Sequence, residues 1–528
     1  MRKYPYVIVL FLSILVSSVS AQEDLIPLKA AIHVSSSVSD GQYSLTQIAQ
    51  TAKDVGISIV VFTDRDLMRW EYGLWPLSNV IKKIVENNSI FTYGIKHYLK
   101  EIETLQNKFP EMILIPGVES APFYYWQGSP FKSAFILGRR LLYSERKPQD
   151  IRSQWRERLH LKRKHLWSSL EFERMRMYNW HIHILGIGLE NYQDYKNLPV
   201  IGNSYGLKDR FNVFMLWPLL TLIWGLWRCK VSLYWYTDHT GRHLGVYSKK
   251  WIIMNTAVVL VSTVFLINNW PFYGVKFDQY HGDLKNSPYQ NYIDYVNKIG
   301  GVTFWAHPEA ENIQKIGDIG FVTQAHTHLL LDTKNYTGFN IFPEGYKEIG
   351  KIGGIWDKIL SEYCRGLRQK PIWAIGGLAF DQGNLPGSMK NLQTVTLVTE
   401  MSKNAVMDAF WKGRMYVVSG ENSLDFSLDE FFVSDEVGKA KGNTGETVTI
   451  KGTPTIYLKG KFLSEQREVE VRIIREGGIV KTYKTETPFS IVYYGEDVSR
   501  KNSYYRIEIQ GKGLRLITNP IFVAYSYE

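Results

Sequence analysis

The sequence predicts an α/β domain built on a parallel sheet or barrel, interrupted by an apolar helical hairpin and followed by a C-terminal antiparallel β-sandwich. From Ala30 onward, short β-like runs alternate with amphipathic helical patterns, the arrangement that produces parallel strands with crossover helices. Two long uncharged apolar runs sit mid-chain. After about Gly442 the pattern changes to period-two alternation punctuated by Gly turns. At 528 residues, 45% hydrophobic and 14% aromatic, the chain has material for large buried cores, so general disorder is excluded.

The N-terminus, MRKYPYVIVLFLSILVSSVSA, places Arg2 and Lys3 before an apolar run and ends on small residues, so residues 1–21 read as a signal peptide. An uncleaved membrane anchor would share the apolar run and leave one more span. Either way, the chain that follows leaves the cytoplasm.

AAIHV is the first strand of the barrel-like region 30–210. Ser44 caps a helix through Gly56, with Leu45, Ile48, Ala49, Ala52 and Val55 at helical spacing, and ISIVVFTD follows as a buried strand. MILIPGVES, HIHILGIG, GVTFWAHP and PIWAIGG are the next strands, with NYIDYVNKIG and IWDKILSEYCRGL among the helices. The basic segment 139–176, containing RSQWRERLHLKRKHLW, interrupts this order. It suits an anionic lipid surface, or else is a solvated helical insertion; nucleic acid is not an expected partner for an exported segment.

The apolar runs Phe211 to Trp227 and Trp251 to Val275 each approach the ~20 residues needed to cross hydrocarbon, so 211–275 reads as a transmembrane hairpin. Between them Arg228, Lys230, Arg242, Lys249 and Lys250 face one acid, Asp238, which places the loop 228–250 in the cytoplasm and both flanking regions outside. The other reading is two buried core helices. With Cys229 on the cytoplasmic side and Cys364 on the other, the two cysteines cannot pair. The second part of the barrel, 276–441, and the sandwich, 442–528, complete the chain.

His33, Asp40, Asp64, Glu119, His181, His183 and His307 fall at predicted strand ends, where α/β domains gather ligand groups. Imidazole and carboxylate donors in one place suit zinc, manganese or iron.

The motifs IHVSSSVSDG, SLTQIAQTAKDVGISIVVFTDRD, LIPGVES, HIHILGIG and GGVTFWAHPEA, in that order, resemble the PHP (polymerase and histidinol phosphatase) family from Ala30 to Asp435. NAVMDAFWKGRMYVVSG is similar to the family's closing helix and strand. The resemblance implies a distorted (β/α)7 barrel and phosphoester hydrolysis by a cluster of up to three metal ions. Carried over by motif, His33, Asp40, Glu119, His183 and His307 match ligand positions, while Ser35, Arg65, Leu378 and Phe380 stand where ligands belong. Glu119, His183 and His307 would then hold one metal, His33 and the shared Glu119 are left of a second, and Asp40 alone is left of a third. Arg65 is expected to pair with Asp40 in place of that ion.

The resulting expectation is an exported, membrane-anchored PHP-like protein binding at most one divalent metal, either a pseudoenzyme or a weak hydrolase. Its partners would be membrane lipids and an unidentified protein or small molecule. The alternative is an assembly protein that uses the barrel as a scaffold and the sandwich for binding.

Overall fold

A computed structural model describes residues 25–526 except 75–76, 129–174, 204, 208–212, 232, 270–274, 317–318, 422, 437, 439 and 496–500. The stretch 1–21, expected to be a signal peptide, and nearly all of the basic segment thus lie outside the described residues.

Seven strands close into a barrel: β1 (Ile26–Val34), β2 (Ile59–Phe62), β3 (Ile113–Ser120), β4 (Ile184–Ile187), β5 (Val302–Trp305), β6 (Gly338–Phe342) and β7 (Trp373–Phe380). Each pairs with the next, and β7 returns to β1, which leaves no free edge in the ring. Six of these strands run parallel; β4 runs against both neighbours. The sheet is therefore mixed rather than parallel throughout. Because β4 is reversed, its N-terminal end lies on the same rim as the C-terminal ends of the others. His181 and His183 reach that rim from the start of a strand, not from its end.

The helices form where periodicity and caps coincide. Leu45–Val55 starts at a Ser44–Gln47 capping box, stops at Gly56 in the left-handed conformation, and buries Leu45, Ile48, Ala49 and Ala52. Four barrel strands precede the apolar helix pair and three follow it, so residues on both sides of the insertion build one core.

Beyond the ring, Leu392–Val398 pairs antiparallel with β1 and Met415–Ser419 with that strand. The sheet continues through Leu514–Thr518, Ser503–Gly511, Glu468–Arg475 and Gly478–Glu486. A second sheet contains Phe426–Ser434, Thr455–Phe462 and Phe489–Tyr494. The two sheets share a core, with Val433, Ile456 and Leu458 on one side and Val471, Ile473, Ile507 and Leu516 on the other. The first strand of the second sheet, Phe426–Ser434, precedes Gly442, and the other layer is an extension of the barrel sheet.

Between β4 and β5, helices Trp217–Val231 and Lys249–Asn268 lie antiparallel: Trp217 meets Phe265 at 5.5 Å, Ser262 Oγ donates to Thr221 Oγ1 at 2.9 Å, and the Arg228 guanidinium lies 5.4 Å from the Trp251 ring. The intervening loop contains a β-hairpin, Leu233–Thr237 with His243–Tyr247. Among the described residues one helix, Lys249–Asn268, is long and apolar enough to cross a bilayer; Val213–Cys229 is apolar and shorter. Leu220 and Ile253 are 71% exposed and Leu260 62%, so these helices are not core elements of the barrel.

Candidate metal centre

His33, next to last in β1, adopts φ 64°, and the register of β1 against both β2 and β7 shifts between Ile32 and Val34. A left-handed non-glycine residue costs about 1–2 kcal/mol, tolerated here because the surrounding strands hold it. Gly377 permits the arrangement, since a Cβ there would stand 2.9 Å from Asn340 Nδ2 and 3.0 Å from His33 Cβ. His33 Nε2 lies 3.1 Å from Glu119 Oε2.

Glu119 is the central group. It is 2% exposed, on a strand buried along its whole length. Its Oε1 lies 2.8 Å from His183 Nδ1 and 3.5 Å from His307 Nε2, and those two nitrogens are 2.9 Å apart. Donors held at 2.0–2.1 Å around a tetrahedral ion stand roughly 3.3–3.4 Å apart, and closer around an octahedral one, so the triangle has the right size. His183 Nε2 lies 3.1 Å from the Trp180 carbonyl, which can only accept, so the ring carries its proton there. Nδ1 of the neutral ring is then a lone pair facing the carboxylate oxygen. His307 Nδ1 is buried without a hydrogen-bond partner. Facing acceptor atoms are what a cation would reconcile, and Glu119, His183 and His307 form a group able to hold a metal ion.

Arg65 reaches the same group. Its backbone bridges that of Glu119, with Glu119 N–H donating to Asp64 O at 3.0 Å. Its Nε donates to Asp40 Oδ2 at 3.1 Å, the contact anticipated from the sequence. Its Nη1, however, lies 3.1 Å from Glu119 Oε1 and 2.8 and 2.9 Å from the two ring nitrogens of His183. A nitrogen that close to both cannot lie along either in-plane lone pair, so the guanidinium approaches the ring face. Arg65 therefore stands at the three-donor group as well as at Asp40, and the surroundings are not dry: Arg65 is 20% and Asp40 26% exposed.

The charges follow from this packing. Burial alone would raise the Glu119 carboxyl, but the Arg65 guanidinium beside it outweighs that and holds the group well below the usual carboxylate range. Burial, then the Arg65 charge, lowers His183 far below the ordinary imidazole value, and burial followed by Arg65 brings His181 down to about 4. Glu119 and Asp40 keep Arg65 charged against its own burial.

Two sequence candidates lie beside this group rather than in it. Asp64 accepts Ser36 N–H at 2.7 Å, Ser36 Oγ at 2.9 Å and Ser39 Oγ at 2.8 Å, so it braces the SSSVSD turn; burial raises it to about 6. His181 faces His183 at 5.6 Å between ring centroids and lies 3.3 Å from Gln314 Nε2. Asp66 and His326 were not anticipated. Asp66 accepts Ser120 Oγ at 2.6 Å directly behind Glu119, and burial raises it to about 7. The repeated Asp of TDRD was the available signal.

His326, 1% exposed and 5.9 Å from the Trp305 ring, is pushed down to about 3 by burial and then by His307. Its folded value lies below its unfolded value near 6.5, so the stability of the neutral form is complete above pH 6.5 and is lost as pH falls toward 3. Denaturant unfolding of His326→Phe and the parent protein between pH 7 and 4 should show their difference shifting in favour of the variant by about 1.4 kcal/mol per unit below 6.5. Parallel acid limbs would refute this.

No family model matches the chain, and no curated protein matches it. Among solved structures, a two-domain protein from Bacteroides vulgatus, described as containing a predicted PHP-like metal-dependent phosphoesterase, is similar at 10% identity over 94% of this chain and 95% of that one, with a TM-score of 0.33. A second structure, from Bifidobacterium adolescentis and described as a candidate metal-dependent phosphoesterase, is similar at 11% identity over 67% and 87% of the two chains, with a TM-score of 0.25.

Proposed function

We propose that this chain is an exported, membrane-anchored PHP-like protein whose barrel binds at most one divalent metal, zinc, manganese or iron, and acts as a ligand-binding pseudoenzyme or a weak phosphoesterase. The observation that carries the reading is the Glu119, His183 and His307 triangle on the barrel rim, with a permanent cation, Arg65, beside it. The ordered PHP motifs and the closed seven-stranded ring support the same assignment. Glu119, His183 and His307 would hold the metal, which when bound would polarise a phosphoryl oxygen. Of the chain's own groups, Glu119 gathers the histidines, Asp40 anchors Arg65, and Arg65 offers a fixed charge to a phosphate-like anion. Leu378 and Phe380 leave the positions of the further metals without donors.

The membrane part rests on the charge-biased loop 228–250 and on the outward-facing apolar helix pair. On this reading the barrel and the C-terminal β-sandwich lie on the outer side, with lipids, a protein or a small molecule as partners.

Metal analysis of the full chain is the test. No more than one equivalent per chain is expected after loading, with loss of binding in Glu119→Ala. Two or more equivalents, or loading unchanged by Glu119→Ala, would refute the one-metal centre.

A further inference from the structure

A second feature of the same rim lies between the metal group and the apolar helix pair. Strands Arg69–Gly73 and Lys82–Glu86 form a hairpin immediately after the segment that carries Arg65. At its second strand and the turn before it, Val80, Ile81 and Ile84 are 45%, 49% and 43% exposed, three large aliphatic side chains within five residues.

Its position is set by the end of the long apolar helix. Asn79 N–H donates to Asn268 Oδ1 at 2.9 Å, and Asn79 Nδ2 donates to Asn268 O at 2.8 Å. Asn268 is the last residue of helix Lys249–Asn268, and Ile267 before it is 57% exposed. The chain beyond the helix binds the hairpin again, with Gly73 N–H donating to Tyr280 Oη at 2.6 Å and Tyr72 against Tyr280 at 6.2 Å. At the same end of the helix pair, Phe214 is 85% and Trp217 46% exposed, with Trp217 against Phe265. Aromatic side chains at a helix end mark the level where hydrocarbon gives way to headgroups.

We infer that Val80, Ile81 and Ile84 form an interfacial docking surface that rests in the outer leaflet beside the end of helix Lys249–Asn268. The occupant is the bilayer itself, because the Asn79–Asn268 hydrogen bonds hold the exposed Val80 beside the helix end where Ile267 is exposed. The inference rests on the membrane-spanning reading of the helix pair. Its consequence concerns the metal group. Arg69 is four residues beyond Arg65, at most roughly 14 Å of extended chain, so a docked hairpin keeps the barrel rim close to the headgroups.

The test uses the full chain with Cys229 and Cys364 replaced by serine, reconstituted into phosphatidylcholine vesicles. Ile81→Cys, Leu260→Cys and Ile479→Cys are labelled one at a time with an environment-sensitive fluorophore. Leu260 lies on the apolar helix and Ile479, 49% exposed, on a C-terminal strand. The Ile81 label should be quenched at least about threefold more by a lipid-borne quencher than by iodide, as at Leu260, while Ile479 shows the reverse. An Ile81 label that behaves like Ile479 while Leu260 stays in lipid overturns the docking surface and leaves the span intact. A Leu260 label open to iodide overturns both.

Discussion

Replacing Asp357 by alanine should destabilise the protein by about 3–5 kcal/mol, whereas replacing Asp357 and Arg506 together by leucine and methionine should recover most of that loss. Asp357, on helix Ile355–Cys364 between β6 and β7, is 2% exposed; Arg506, on Ser503–Gly511 of the C-terminal β layers, is fully buried. The guanidinium grips the carboxylate through two parallel bonds, Nε to Oδ1 at 2.8 Å and Nη2 to Oδ2 at 2.7 Å. Tyr504 Oη donates to Oδ1 at 2.8 Å and Gly353 N–H to Oδ2 at 2.7 Å, so the carboxylate is saturated. Trp356 lies 4.9 Å from the guanidinium carbon.

Breaking such a pair from one side leaves a buried charge without its counter-ion, and that penalty exceeds the modest net worth of the intact pair. The pair also joins the barrel to the C-terminal layers, together with Asn519, whose Oδ1 accepts Ala374 N–H at 2.7 Å. Denaturant unfolding of Asp357→Ala should therefore show one transition at lower denaturant for both regions. A loss below about 1 kcal/mol would mean that water reaches the site, as at an exposed pair.

Arg65→Ala should raise divalent metal affinity by roughly 100-fold or more. Two unit charges 4 Å apart interact by about 4 kcal/mol at an effective dielectric of 20, and a factor of ten in binding is about 1.4 kcal/mol. Arg65 Nη1 already stands 3.1 Å from the oxygen a metal would use, so an incoming ion must displace it or bind against its repulsion. The side chain is partly exposed and can swing aside, which makes the expected gain smaller than the full Coulomb figure. Arg65→Lys, which keeps the charge without the planar fork, should fall between the parent and Arg65→Ala. Titration calorimetry with zinc is the measurement. Unchanged affinity in Arg65→Ala would show that the guanidinium does not oppose the metal.

Individual elements show how far the sequence could be read. The helix Leu45–Val55 was legible because Ser44, Gln47 and Gly56 act within a few residues of where they stand. Strands β2, β3 and β5 were legible as apolar runs of strand length. The reversal of β4 was not: a four-residue buried strand has the same pattern in either direction, and only its hydrogen bonds to β3 and β5 choose one. Strand Phe426–Ser434 fell outside the expected sandwich because it joins that sheet only through pairing with Thr455–Phe462, about thirty residues away.

The candidate site divides in the same way. By itself the sequence determined which of these positions carry donors, because a ligand's chemistry belongs to its residue type: Glu119, His183 and His307 can bind a metal, while Leu378 and Phe380 cannot. It also determined that a charge-free apolar run follows a basic loop, since composition alone sets the cost of burying those groups in hydrocarbon. Tertiary structure decided where Arg65 points. The pairing with Asp40 is 25 residues distant in the chain, but the contact with His183 spans 118, and it exists only because β2 and β3 lie side by side and the reversed β4 brings its first residues to their rim. A long flexible cation is placed by whichever anions the fold brings within its reach, and that is a property of strand order and direction, not of the residues taken one at a time.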